Sequence, residues 1–403
     1  MGLSAHAWTV LSFLIGVYMN RTSFFLGDRK RDILFAFSAL AISLAVLFIP
    51  TGFGSPYPKG SSQWAKARIL KTDNSTVKTI GPSKHGSQQL DLEIRSGSFK
   101  GRQFSATNNL LGKKELDKFF NPGDYAFVVI DLTADRTDVA YINVIDHYRL
   151  DGIILLFLAF VAVLIGFAGW IGFKALVSFI FSGALIIKVL LPLILVGWNP
   201  IVLTVGIVSI LTFVIIFLVA GFTRKGLVSF TGSMGGVLVT TLLSMLFTNL
   251  FKIHGAVRPF AESLLYMGFD YISLPQLFMA GIFLASSGAV MDLSMDISAA
   301  MAEVVQKHPD ISRGELIKSG FTVGRHVVGT MTTTLLLAYT GGYTALMMTF
   351  IAQGVPMANI INMVYVSAEL IHTMVGSFGL ILVAPITALV GGYIYTAPKI
   401  HAK

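Results

Sequence analysis

The chain has 403 residues, 54% of them hydrophobic and 13% charged, about half the charged fraction of an ordinary soluble domain. That composition excludes a soluble globular enzyme. It describes an α-helical polytopic membrane protein, in which helices associate through packing and hydrogen bonds. Lys plus Arg number 30 against 21 Asp plus Glu, a net charge of +9, which on such a chain means basic loops inside and attraction to membrane lipid.

No basic run interleaves with aromatics, so nucleic acid is not expected as a partner. Cysteine is absent, which removes disulfides, thiolate metal sites and Cys nucleophiles.

Residues 1–32 read as a cytoplasmic or interfacial N-terminal segment. WTVLSFLIGVYM is too short to span, since a crossing needs about 20 apolar residues. Arg29, Lys30 and Arg31 then precede an apolar run, so a first transmembrane helix over 33–50, uncleaved, leads outward by the basic-inside rule.

From 51 to 147 the pattern changes. PTGFGSPYPKGSS is a linker, and WAKARILKT, QQLDLEIRS, YAFVVIDLT and VAYINVID alternate with a period of two, the signature of half-exposed strands. SGSFKG and NPGD supply turns. The expectation is a small all-β, OB-like extracytoplasmic domain of five or six strands. Such barrels can bind oligosaccharide, but this one has few aromatics, which favours a structural or docking role.

The multi-span membrane domain covers 152–397. Spans are expected over 152–167, 175–196, 201–222, 227–251 and 274–291, with Lys174 at an inside turn and Trp198-Asn199-Pro200 at an outer interface. GSMGGVL in the fifth span places Gly232 and Gly236 in a small-xxx-small packing pattern. A cytoplasmic amphipathic helix over 292–318 follows, with Ile297, Met301, Val304 and Val305 on one face. His308-Pro309 ends its first part, and Ser312-x-x-Glu315 is a capping box for the next helix. The seventh span runs 321–339. GGYT then turns, a re-entrant segment occupies 341–376, and the last span ends in a basic tail that stays inside. The fold class is therefore about eight spans plus a re-entrant segment, with the β-domain outside.

GAVMDLSMDISAAM, ELIKSGFTVGRHVVGTMTTTLLLAY and AELIHTMVGSFGLILVAPITAL resemble the YibE/F family of bacterial integral membrane proteins. The resemblance extends through SGSFKGRQFSATNNLLG in the β-rich region to nearly the whole chain, with the first 25 or so residues as an extension. It implies a transport role in a bacterial plasma membrane and names no substrate. His326 stands where an acidic residue often follows the Arg, so an Arg–acid pair is not carried over. A weaker architectural similarity links the Thr-rich span to RND and SecD/SecF membrane domains.

The densest ionisable residues beside apolar helix lie between Gly281 and Leu337. Asp292 and Asp296 share a helix face and are candidates for cation or proton coupling, or else a solvated helix end. Arg325 needs a partner if desolvated, and Asp292, Asp296 or Glu369 are its candidates. His326 is a possible titrating group or a structural donor. Glu369-x-x-His372 puts both groups on one face. Metal-binding bundles use that spacing twice, and here it occurs once, so a proton relay or a structural hydrogen bond is favoured over a metal. Asp292, Asp296, Glu369 and His372 are the groups a metal would take. Thr330, Thr332, Thr333 and Thr334, with Asn362 and Asn249, line a polar path or bond back to their own helices. Lys188 lies within a span. Met291, Met295 and Met301 form a packing stripe.

No Walker loop, His-Glu-x-x-His or Gly-x-Ser-x-Gly occurs, so neither an ATP motor nor an enzyme is indicated, and no cofactor is implied. The expected function is a secondary transporter or channel-like permease for an ion or small solute, coupled through Asp292, Asp296, Arg325, Glu369 and His372. The other expectation is a membrane scaffold or receptor. Its β-domain would bind a partner or cell-wall polymer, and the glycine pattern would form a homo-oligomer interface.

Overall fold

Alternation along the strands sorts side chains onto two faces of one sheet. The computed structural model describes residues 24–53, 61–133, 135 and 137–397. Expectations for residues 1–23, for most of the PTGFGSPYPKGSS linker and for the basic tail lie outside them. The chain divides into two units, Phe53–Gly166 and Met1–Gly52 with Phe167–Lys403.

In the first unit, β1 (Ser62–Asp73), β2 (Lys78–Ile80), β3 (Ser83–Ile94), β4 (Gln103–Leu111), β5 (Tyr125–Leu132) and β6 (Val139–His147) form one antiparallel sheet. β3 pairs with β4 on one edge and with β1 and β2 on the other; β1 continues to β5 and β5 to β6. Ala67 sits between Ile94 and Ala126 in register. It shares a core with Ile69, Leu92, Phe120, Val128 and Ile142. Gln88 is buried there. Its amide donates to the Phe120 carbonyl (2.7 Å) and accepts from the Phe120 N–H (3.1 Å), so a chain segment without a strand partner is satisfied by a side chain.

The strands end at His147, the expected limit, and the unit's contacts continue into α2 (Leu150–Leu185). The junction explains why. Only Tyr148 and Arg149 separate β6 from α2. Lys66 on β1 pairs with Asp151 at 2.6 Å and lies over the rings of Tyr125 and Tyr148, 4.3 and 4.8 Å from their centroids. The hydrogen bond to Asp151 raises the Lys66 ammonium above its ordinary value. Arg149 holds the Asp146 carboxyl below its ordinary value through a 2.7 Å bond.

The second unit is helical. α1 (Phe24–Leu47) starts before the expected residue 33 and includes the charged stretch Asp28 to Asp32. α2 breaks at Gly169 (φ 53°, ψ −125°), a backbone only glycine adopts cheaply. It continues through a π-helical turn over Ile186–Leu190 into α3 (Leu191–Leu195). The break expected between 167 and 175 is this kink, placed at Gly169 rather than at Lys174. Lys174 is buried inside the helix and pairs with Asp32 of α1 at 3.8 Å. Lys188 donates to the Ile49 carbonyl (3.4 Å).

α4 (Pro200–Ala220) is capped by Asn199, whose side chain accepts from the N–H groups of Ile201 and Val202. After it come α5 (Arg224–Leu250), the short α6 (Ala261–Tyr266), α7 (Leu274–Lys307), α8 (Arg313–Ala352), α9 (Met357–Asn362) and α10 (Val364–Tyr395). Among the described residues, six helical stretches can cross a membrane by length and composition: α2–α3 together, α4, α5, α7, α8 and α10.

Two expected breaks are missing. α7 runs unbroken through Asp292, so 292–307 continues the apolar helix rather than forming a separate piece. α8 runs through GGYT to Ala352, and α10 runs through Gly376. The segment 341–376 is therefore the end of one long helix, a connection and the start of another. A helix tolerates Gly341 and Gly342 at about 1 kcal/mol each. The true stop is Gly354 (φ 68°) followed by Pro356. The capping box at Ser312 and Glu315 is present with both reciprocal bonds.

Small residues let α5, α7, α8 and α10 approach closely. A Cβ on Gly232 would lie 2.2 Å from Thr387 Oγ1, and one on Gly236 2.7 Å from Val290. The glycine pattern is thus consumed inside the chain rather than left for a second copy. Between the same helices Ser294 donates to the Ser229 carbonyl (2.7 Å), and Thr387 donates to Ser294 (3.1 Å). Ser298 and Tyr395 share a 2.8 Å bond.

Candidate functional site

Lone ionisable groups in apolar helices need partners, and following each to its partner locates the site. Glu369 and His372 lie near the start of α10, on one face, as their spacing requires. Their partner is Arg258, from the loop between α5 and α6. Arg258 Nη1 donates to Glu369 Oε1. Its Nη2 lies 2.7 Å from His372 Nδ1. The second carboxylate oxygen of Glu369 is 3.8 Å from that same Nδ1. Side-chain exposure falls inward along the cluster, from 37% for Arg258 to 17% for Glu369 and 10% for His372.

The loop is folded to deliver this arginine. Ile253 is buried, and Gly255 (φ 81°) presses on the backbone of Leu274, where a Cβ would lie 2.2 Å from the carbonyl carbon. Lys252 (φ 53°) and Phe260 (φ 62°), the non-glycine residues with positive φ among those described, bracket Arg258. Such backbone is costly and persists only where its surroundings enforce it. Arg258 also lies over the Phe278 ring of α7, 5.7 Å from its centroid. Phe278, Ile282, Ile371 and Val375 form the apolar wall behind the cluster.

Tyr339 of α8 closes the remaining side. Its ring stacks on His372 with centroids 4.4 Å apart. A guanidinium can only donate, so His372 Nδ1 accepts and the ring hydrogen is on Nε2. That Nε2, the Tyr339 hydroxyl and the Thr373 hydroxyl are buried with no hydrogen-bond partner. Unsatisfied buried polar atoms are uncommon enough that each calls for a cause.

The other sequence candidates do not join this cluster. Asp292 and Asp296 are exposed on α7 and make no ion pair among the described residues. Arg325 and His326 are exposed on α8. Arg325 lines an apolar cleft with Phe321, Ile381 and Pro385, and the acid it was expected to reach, Glu369, is held by Arg258 instead. Thr330, Thr332 and Thr334 donate to the carbonyls of Val327, Val328 and Thr330 in their own helix. Thr333, Asn249 and Asn362 are exposed. Among the described residues no group of three or more His, Asp or Glu could hold a metal ion.

Arg258 and Tyr339 are the residues sequence reasoning missed. The signal for Arg258 was its setting, a single cation amid Ile253-His-Gly-Ala-Val257 and Pro259-Phe260, too apolar for a solvated loop. Tyr339 carried no signal beyond helical spacing.

The family description "YibE/F-like protein" matches residues 156–397, and "YibE/F family N-terminal domain" matches residues 62–146. No curated protein and no solved structure matches the chain. The two matches flank the sheet-to-helix junction that Lys66 and Asp151 fasten, and together they take in the strands, the long apolar helices from α2 onward and the ion cluster: the chain belongs to the YibE/F family.

Proposed function

We propose that this protein is a secondary transporter or channel-like permease that moves an ion or small solute across a bacterial plasma membrane. The observation that carries the reading is the Arg258–Glu369–His372 cluster, set among apolar helices with buried polar atoms left unpaired. Intramembrane charges of this kind mark ion and substrate paths.

The topology that goes with it has eight crossings: α1, two arms of the α2–α3 stretch, α4, α5, α7, α8 and α10. The α2–α3 stretch has 46 residues. At 1.5 Å per residue it is about 70 Å long, enough for two crossings of about 30 Å, with Gly169 as the break. The start of α1 and the end of α10 are then inside, the β-domain is outside, and the ion cluster lies toward the outer face.

Full-length protein in proteoliposomes tests this reading with a panel of trapped reporters for protons, sodium, potassium, chloride and phosphate. Wild type should move at least one of them, and Glu369→Gln should lower that flux by about tenfold or more. Asp296→Asn should leave it unchanged. No flux for any of the panel from monodisperse protein would count against transport.

One observation favours a second reading, a receptor whose OB-like β-domain binds a partner or cell-wall polymer. Besides the core aromatics Phe99 and Phe120, the domain carries an aromatic group outside that core. Trp64, 65% exposed, packs on Phe127 (5.2 Å between centroids), and Phe127 lies 6.4 Å from Tyr148. Sedimentation of the full chain with purified cell-wall polymer, lost in Trp64→Ala, would favour it.

A further inference from the structure

We infer that the ion coupled to transport is the proton, that His372 Nδ1 is its seat, and that its arrival makes Glu369 exchange Arg258 for His372. This deepens the transport reading above and rests on it. Arg258 offers only N–H groups, so its 2.7 Å contact with Nδ1 exists only while that nitrogen keeps its lone pair. In this arrangement His372 is neutral, Arg258 carries one positive charge and Glu369 one negative charge.

A proton from the outer aqueous phase forms one N–H bond at Nδ1 and changes nothing else covalently. Two N–H groups then face each other across the old contact, and two cations sit side by side. The contact with Arg258 is lost. The alternative acceptor is already in place, because Glu369 Oε2 lies 3.8 Å from Nδ1 on the same helix face. The new pair is imidazolium to carboxylate, and Arg258 is released toward the loop, where it is already the most exposed member. The three groups go from net zero to net +1.

The surrounding elements leave His372 as the neutral group that both faces Arg258 and can take up a proton. α5 has no titratable residue between Gly226 and Leu250, and α7 has none between Leu274 and Met291. The outer half of α8 carries Tyr339 and Tyr343, and the start of α10 carries Tyr365 besides Glu369. In the loops around α6, Lys252, His254, Glu262 and Asp270 accompany Arg258. His254 is exposed, with its Nδ1 accepting from the Ala256 N–H, and Glu262 accepts from Tyr266. A metal cation suits the cluster less well. Hard cations take several oxygen ligands, whereas the one carboxylate here is against a guanidinium.

The test is nitrogen NMR of the full chain, ¹⁵N-labelled at histidine, in nanodiscs between pH 8 and pH 4. One resonance set, absent in His372→Gln, should show the Nε2–H tautomer at pH 8 and both nitrogens protonated at the acid end. In Arg258→Gln the donor facing Nδ1 is gone, so the same transition should move to higher pH by about one unit, a tenfold change in proton affinity. Should His372→Gln not fold, the displacement in Arg258→Gln identifies the resonance. An Nδ1–H tautomer at pH 8, a ring that stays neutral to pH 4, or a transition that Arg258→Gln leaves in place overturns the inference. A titrating His372 together with silent flux measurements would instead sink the transport reading, and the coupling with it, while the proton site stood.

Discussion

The phenol ring of Tyr339 lies on the imidazole of His372, centroids 4.4 Å apart and planes inclined by 29°, and so joins α8 to α10 at the ion cluster. The hydroxyl of that tyrosine has no partner. Tyr339→Phe should therefore be neutral or slightly stabilising, because it keeps the stack and removes a buried unsatisfied group. Tyr339→Ala should cost about 3 kcal/mol. Thermal unfolding in detergent reads both, and a Phe variant as unstable as Ala would show that the hydroxyl matters.

The pair Arg258–Glu369 should couple energetically. Each alanine substitution strands the other charge, so the double variant should lose less stability than the two single variants added together. Arg258 keeps 37% of its side-chain surface exposed, which lowers the expected coupling to about 1 kcal/mol. A double-mutant cycle that sums without remainder would make the contact energetically idle.

Close helix approach makes a sharper contrast. Gly232→Ala drives a Cβ to 2.2 Å from Thr387 Oγ1, an overpacking expected to cost about 1–3 kcal/mol. Gly281→Ala meets no atom within 4 Å and should stabilise α7 by up to about 1 kcal/mol through helix propensity. The two unfolding temperatures should move in opposite directions.

In the sheet unit, Gln88→Leu leaves both backbone groups of the buried Phe120 unpaired. At about 1–3 kcal/mol for each of the two orphans, the loss should be about 2–6 kcal/mol. Hydrogen exchange of the β3 and β4 amides should accelerate, while the helices of the other unit stay as protected as before.

Asp135 supplies a pH prediction. Hydrogen bonds from Thr133 and Thr137 lower its carboxyl from an ordinary 3.8 to about 2. A depressed acid stabilises the fold above its ordinary value, and that contribution is lost as pH falls through about 2. Carboxyl NMR should show this aspartate titrating near 2, and Asp135→Asn should destabilise the β5–β6 turn at pH 5 but not at the acid end. A midpoint near 4 would mean that the hydroxyl bonds do not hold in solution.

Much of this architecture was legible residue by residue. Period-two alternation located the strands around Ala67, Leu92, Val128 and Ile142, because one sheet face is core and a slip would reverse it. Ser312 and Glu315 announced a helix start, and Gly232 with Gly236 announced a close crossing. Glu369 and His372 were recognisable as charges with no business in lipid. Other features were not legible, because their cause is tertiary. Gly341-Gly342 reads as a turn, yet the helix runs through it to Ala352. Asp292 and Asp296 resemble a helix end, although α7 continues past them to Lys307. Arg258 lies 111 residues from Glu369, and nothing local could nominate that pair over Arg325.

The two-residue joint between β6 and α2 has a mechanical consequence. Tyr148 and Arg149 are both tied down, one to Asp151 and the other to Asp146, and Lys66 rivets the strand beside them to the first turn of the helix. A load taken up on the Trp64 face would be felt first at Asp151, the one residue that Lys66 and Tyr148 both hold.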